Sequence, residues 1–154
     1  MVAISADRVI GNTAPEVNAQ IRRRAEMSLA YFADHPDQID RRLRELDAEW
    51  DIERVVETQS SALSLVGLTL SFLTGRRRWL LVPIAVQGFM LQHALQGWCP
   101  PVPVLRRLGV RTREEIERER YALKLLRGDF RDACDPESNR SGDGLDRVID
   151  AIDR

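Results

Sequence analysis

Four side chains in the sequence are of types that act as soft nucleophiles or metal ligands: His35, His93, Cys99 and Cys134. Their spacing fits no metal-ligand pattern, and two cysteines so far apart make no disulfide framework. Cys99 is the candidate reactive thiol. It sits in Gly97-Trp98-Cys99-Pro100, with Arg106 and Arg107 a few residues on, and nearby positive charge favours the thiolate. Its plainer role is a small apolar residue at a helix end. Cys134 stands in an acidic stretch that disfavours its thiolate, and the residues after it form no basic, glycine-containing thiolate loop. There is no glycine-rich phosphate loop, no serine nucleophile elbow and no HExxH pair. No catalytic residue, cofactor site or metal site is therefore expected. The chemistry left open is sulfur or oxidant handling at Cys99.

The elements that would position Cys99 show in the charge distribution. The 154 residues carry 23 Lys and Arg against 24 Asp and Glu, a formal charge of -1, which argues against a nucleic-acid partner. The mean hydropathy of -0.31 hides a segregated pattern. From Thr58 to Leu105 the only charges are Arg76, Arg77 and Arg78. They separate two uncharged runs, 58–75 and 79–98, which read as a helical hairpin. A spanning helix takes about 20 mainly apolar residues, with a lower end near 17. Trp79 and Trp98 bracket the second run as membrane-interface anchors, roughly 28 Å apart on a continuous helix. A helix at the surface of a soluble protein carries a charged face, and neither run has one. The expected fold is all-α: a two-helix transmembrane hairpin flanked by cytoplasmic charged helices. The alternative is a soluble helical interaction module with the hairpin as its core.

Linearly, the chain divides into a charged helical arm (1–57), the hairpin (58–105), an amphipathic helix (106–131) and an acidic tail with a short helix (132–154). A disordered leader is expected up to Thr13. Pro15 suits a first helical turn, and Val17, Ile21, Ala25 and Phe32 recur at helical spacing up to Asp34-His35, where Pro36 disfavours further helix. Ile39, Leu43, Leu46 and Trp50 form the stripe of a second helix. With no Pro or Gly before Gly67, that helix is expected to run on into the first apolar run. The Cys99-Pro100-Pro101-Val102-Pro103 stretch ends the second apolar helix. Thr112 and Glu115 form a capping box for a helix carrying Ile116, Leu123 and Leu126, with Gly128 at its C′ position. Leu145, Val148, Ile149 and Ile152 mark a last short helix. No strand pattern is present.

Small residues line one face of the first run: Ser60, Ser64, Gly67, Ser71 and Gly75. Ala85, Gly88, Gln92 and Gln96 form a comparable face on the second. Small residues let helices approach closely in lipid, so these two faces are expected to meet, within the hairpin or across a dimer. Gln92, His93 and Gln96 lie near the end of the second run, where a structural role is expected. Arg41, Arg42, Arg44 and Arg54 before the hairpin, with seven basic residues from Arg106 to Lys124 after it, place both termini in the cytoplasm. Arg76–Arg78 alone oppose that orientation.

Residues 54–109, with Gly97-Trp98-Cys99-Pro100 closing the second run and Leu105, Leu108 and Gly109 following, resemble the YgaP-like inner-membrane domain, a bacterial transmembrane hairpin of unknown function. The resemblance implies residence in the bacterial inner membrane and self-association, and makes Cys99 the matching family cysteine. In the family's namesake the hairpin carries a sulfurtransferase domain. This chain has no such active loop and adds charged helical arms, so that activity does not carry over. The expected partners are the lipid bilayer, further copies of the chain as a homo-oligomer, and a cytoplasmic protein met by the arms.

Overall fold

A computed structural model describes residues 5–130, with side chains from Arg8 onward. The segment holding Cys134 and the expected helix at Leu145–Ile152 lies outside the described residues. Within them the chain is all-α: α1 Ser5–Gly11, α2 Pro15–Asp34, α3 Ile39–Ala48, α4 Ile52–Thr74, α5 Leu81–Gln96, α6 Val102–Arg107 and α7 Arg113–Arg127.

The leader is not disordered throughout. Residues 5–11 form α1, and Val9 is completely buried. Thr13 closes this helix by donating its hydroxyl to the Val9 carbonyl at 2.7 Å. Helix α2 begins at Pro15 and stops at Asp34, before the 3-10 turn that starts at Pro36. Helix α3 does not run on into the apolar run. It ends at Ala48, Glu49 turns extended, and Asp51 caps a new helix by accepting the Arg54 amide at 2.7 Å. The physical reason is an Asp N-cap, which satisfies one of the amides a helix start leaves open. Trp50, read as part of the α3 stripe, consequently falls in the break. Its ring is exposed, with the Arg54 guanidinium over it at 4.4 Å.

The described residues form two compact units by contact, one made of residues 5–23 and 50–116, the other of 24–49 and 117–130. In the first, Val9, Ile52, Val56, Cys99, Val102 and Leu105 form one buried cluster, with Val55, Met90 and Val110 packed on it. The chain reaches this cluster through α6, a helix whose prolines fall before and within its first turn, where a missing amide costs nothing. In the second unit Phe32, Ile39, Leu43, Leu46 and Leu123 are buried. Glu119 is buried beside them and accepts hydrogen bonds from the Ser28 hydroxyl at 2.7 Å and from Arg42 at 3.0 Å. Arg120 pairs with Asp47 at 2.8 Å, and Arg127 pairs with Asp40.

Among the described residues, no helix is long and apolar enough to cross a membrane. Helix α4 has 23 residues, but Glu53, Arg54 and Glu57 occupy its first two turns. Helix α5 has 16, because the chain enters it through a 3-10 turn at Arg77–Leu80. Trp79 lies in that turn and Trp98 beyond the Gly97 C-cap, so one α-helix does not carry both indoles.

Candidate functional site

The hairpin α4–α5 is the feature on which the functional reading turns. Ser64 and Gly67 are its buried contact residues on α4. A Cβ on Gly67 would meet Pro83 Cδ at 2.7 Å and Val82 Cβ at 3.0 Å, so the two helices approach as closely as a bare backbone permits. Gln87 Nε2 donates to Ser64 Oγ at 3.2 Å across the pair. Helix α4 ends on Gly75, whose φ of 64° is a left-handed cap. Ser71 is half-buried, and its hydroxyl donates to the Arg76 carbonyl at 3.5 Å.

Within the hairpin, the meeting of two small-residue faces is therefore found on one side only. Helix α5 brings Val82 and Pro83 to Gly67, whereas Ala85 and Gly88 face outward and nothing lies within 4 Å of a Cβ built on Gly88. Gln92 is half-buried, with its Nε2 at 3.5 Å from Gln96 Oε1. The reason is steric: the Pro83 ring on α5 fills the gap that Gly67 leaves.

The outer surfaces of the pair are apolar and uncovered. Leu63, Leu65, Val66, Leu68, Phe72 and Leu73 on α4 are exposed, Phe72 at 89% and Leu73 at 72%. On α5 the exposed residues are Leu81, Ile84, Phe89, Leu91 and Leu95. At the base, α1 packs on α5. Arg8 Nη1 donates to the Leu95 carbonyl at 3.1 Å and Asn12 Nδ2 to the Gln96 carbonyl at 2.9 Å, closing the C-terminal end of α5. His93 is 5% exposed, and neither ring nitrogen has a hydrogen-bond partner among the described residues. It packs as an apolar ring.

A cavity of about 270 Å³ opens where the hairpin meets its base, lined by Val56, Leu63, Val86, Phe89 and Met90. Gln59 and Ser60 are its polar lining residues, and Cys99 with Pro100 and Pro101 lines another part of its wall.

No family model, curated protein or solved structure matches this chain.

Cys99 belongs to the core rather than to the surface. It is 2% exposed, and burial raises its pKa above the ordinary thiol value, with only a hydrogen bond at the Val102 amide acting the other way. Arg106, expected to favour a thiolate here, is engaged elsewhere. It is 1% exposed, and its two terminal nitrogens reach the Glu115 carboxylate at 2.6 and 2.8 Å. They also donate to Asn18 Oδ1 at 2.9 Å and the Val110 carbonyl at 3.1 Å. In a Cys134→Ser background, Cys99 in the folded chain is expected to react with an aromatic disulfide reagent at least a hundredfold more slowly than in denaturant, by stopped-flow absorbance, since the thiolate is the reacting form. Equal rates would show an open thiol. Among the described residues, no three His, Cys, Asp or Glu come together to hold a metal.

Sequence reasoning missed the Arg106–Glu115 pair, although half its signal was legible. The capping box forms as expected: the Thr112 amide donates to Glu115 Oε2 at 2.8 Å, and the Glu115 amide to Thr112 Oγ1 at 3.3 Å. Burial pushes the Glu115 pKa up, but hydrogen bonds from Arg106 and Thr112, with the Arg106 charge, outweigh burial and hold it below the ordinary 4.5. The unfolded chain thus binds the proton more readily. This contribution to stability is present above pH 4.5 and is lost as pH falls through the lower folded value. Glu53 carries the opposite sign, since burial raises its pKa. The stability difference between wild type and Glu115→Gln isolates the Glu115 part. It is expected to shrink on acidification below pH 4.5 in thermal melts, and a difference constant to pH 2 would contradict the pairing.

Proposed function

We propose that this is a small inner-membrane protein whose α4–α5 hairpin lies in lipid and joins further copies, while the charged helices remain on the cytoplasmic side. The observation that carries the reading is the uncovered apolar surface on both hairpin helices. A soluble monomer's largest apolar patch is typically about 300–600 Å², and eleven large apolar side chains exposed on two adjacent helices go beyond scattered surface hydrophobes. The absence of any acidic residue between Glu57 and Glu114 points the same way, as does the resemblance of residues 54–109 to the YgaP-like hairpin.

The helices are short for this role. Sixteen residues of α5 reach roughly 24 Å against a hydrocarbon thickness of ~30 Å. A shortfall of that size is accommodated by local thinning and by arginines that snorkel toward the headgroups, at fractions of a kcal/mol per Å. The outward Ala85 and Gly88 leave α5 a smooth face for close approach of a second copy. The basic residues on either side of the hairpin favour both termini in the cytoplasm.

The test is the behaviour of the purified full chain once detergent is removed. The proposal expects loss of monodispersity in plain buffer and recovery in lipid nanodiscs. A chain that stays monomeric in buffer at all concentrations would overturn it.

A further inference from the structure

We infer that the hairpin tip is a binding surface for anionic phospholipid headgroups, with Arg76, Arg77 and Arg78 as the phosphate ligands. This rests on the membrane reading and adds to it a lipid specificity. All three arginines are exposed, and none has an ion pair among the described residues. The Arg78 guanidinium lies over the Trp79 ring at 5.9 Å. No acid in the neighbouring sequence competes for them: the nearest in the chain are Glu57 and Glu114.

The local geometry argues for a planar array of phosphates. Arg76 is extended at the start of the tip turn, and Arg77 and Arg78 lie in the adjoining 3-10 segment. Successive side chains in a 3-10 turn point about 120° apart, so Arg77 and Arg78 splay apart at the hairpin end, with the extended Arg76 just before them. A splayed set suits several headgroups around a tip better than one anion in a pocket. Exposed Phe72, Leu73, Leu80 and Leu81 flank the cations and provide the apolar half of an interfacial contact. Guanidinium groups bind phosphate oxygens in bidentate fashion. Arg22, Arg23 and Arg24 on α2 form a second exposed triplet, but Glu26 lies two residues away and no apolar tip accompanies it.

The experiment dilutes the full chain from detergent over vesicles of phosphatidylcholine alone, or with about a third phosphatidylglycerol, and measures co-flotation. The tip variant Arg76→Gln/Arg77→Gln/Arg78→Gln is compared with Arg22→Gln/Arg23→Gln/Arg24→Gln. Each basic residue near an anionic surface supports roughly a five- to tenfold gain, so the wild type is expected to prefer anionic vesicles by roughly a hundredfold or more at low salt. The tip variant is expected to float with both vesicle types equally, and the α2 variant to keep the preference. A wild type without preference, a tip variant that retains it, or equal loss in both variants overturns the inference and leaves the membrane reading standing. Failure of the wild type to float with either vesicle overturns both.

Discussion

Replacing Arg106 with methionine is expected to cost the fold about 3–5 kcal/mol, the usual penalty for removing one partner of a buried ion pair. Arg106 uses four guanidinium N–H groups, on Glu115, Asn18 and the Val110 carbonyl, and only Nε lacks a partner. Without it, the Glu115 carboxylate keeps only the Thr112 amide beside it, and Asn18 loses its side-chain donor. The loss reflects a carboxylate only 19% exposed and left without its cation, rather than a bond of that strength. The double variant Arg106→Met/Glu115→Leu should therefore recover most of it, because a hydrophobic pair avoids the desolvation of both charges. Thermal melts of the single and double variants check this. A double variant as unstable as the single would show that packing at Arg106, and not charge pairing, is what matters.

Gly97→Ala is expected to have a comparable effect from a different cause. Gly97 caps α5 with a φ of 71°, where a side chain costs about 1–2 kcal/mol per residue. A Cβ there would also lie 2.5 Å from Arg8 Cβ, 2.7 Å from the Arg8 carbonyl carbon and 2.8 Å from the Val9 amide. Two of these are backbone atoms of α1, which cannot yield as a flexible side chain would. Helix α1 must lift, and Val9 loses burial worth about 1.5–3 kcal/mol. The readout is hydrogen exchange at residues 8–13, expected to quicken far more than in α7. Unchanged protection there would mean that α1 does not hold the base of the hairpin.

These two positions show how far the chain could be read from its sequence. The α2 bounds, the capping box at Thr112 and Glu115, and the C′ glycine at Gly128 were legible because each rests on local chemistry. Gly128 takes a φ of 92° and returns its amide to the Lys124 carbonyl at 3.0 Å. The hairpin itself was legible from missing charge. The break at Glu49–Asp51 does not show in the absence of Pro and Gly, because it rests on a single Asp51 N-cap within a stretch that otherwise favours helix. Burial of α1 left no periodic signal, since a single valine in a short segment sets no period. The roles of Arg106 and Cys99 were not legible at all: proximity in sequence suggested that the cation serves the thiol, while the fold turns it to a carboxylate nine residues on. The small-residue faces were half legible, because Ser64 and Gly67 mark a close approach without naming the residues that fill it.

The central claim is that the uncovered surface of α4 and α5 meets lipid. Washing membranes of expressing cells with alkaline carbonate tests this most directly, since the treatment strips peripheral proteins and leaves inserted ones behind. The account predicts that the full chain stays in the membrane pellet and moves to the supernatant only with detergent. Quantitative release into the carbonate wash would contradict it, and would mean that those leucines and phenylalanines are covered by protein.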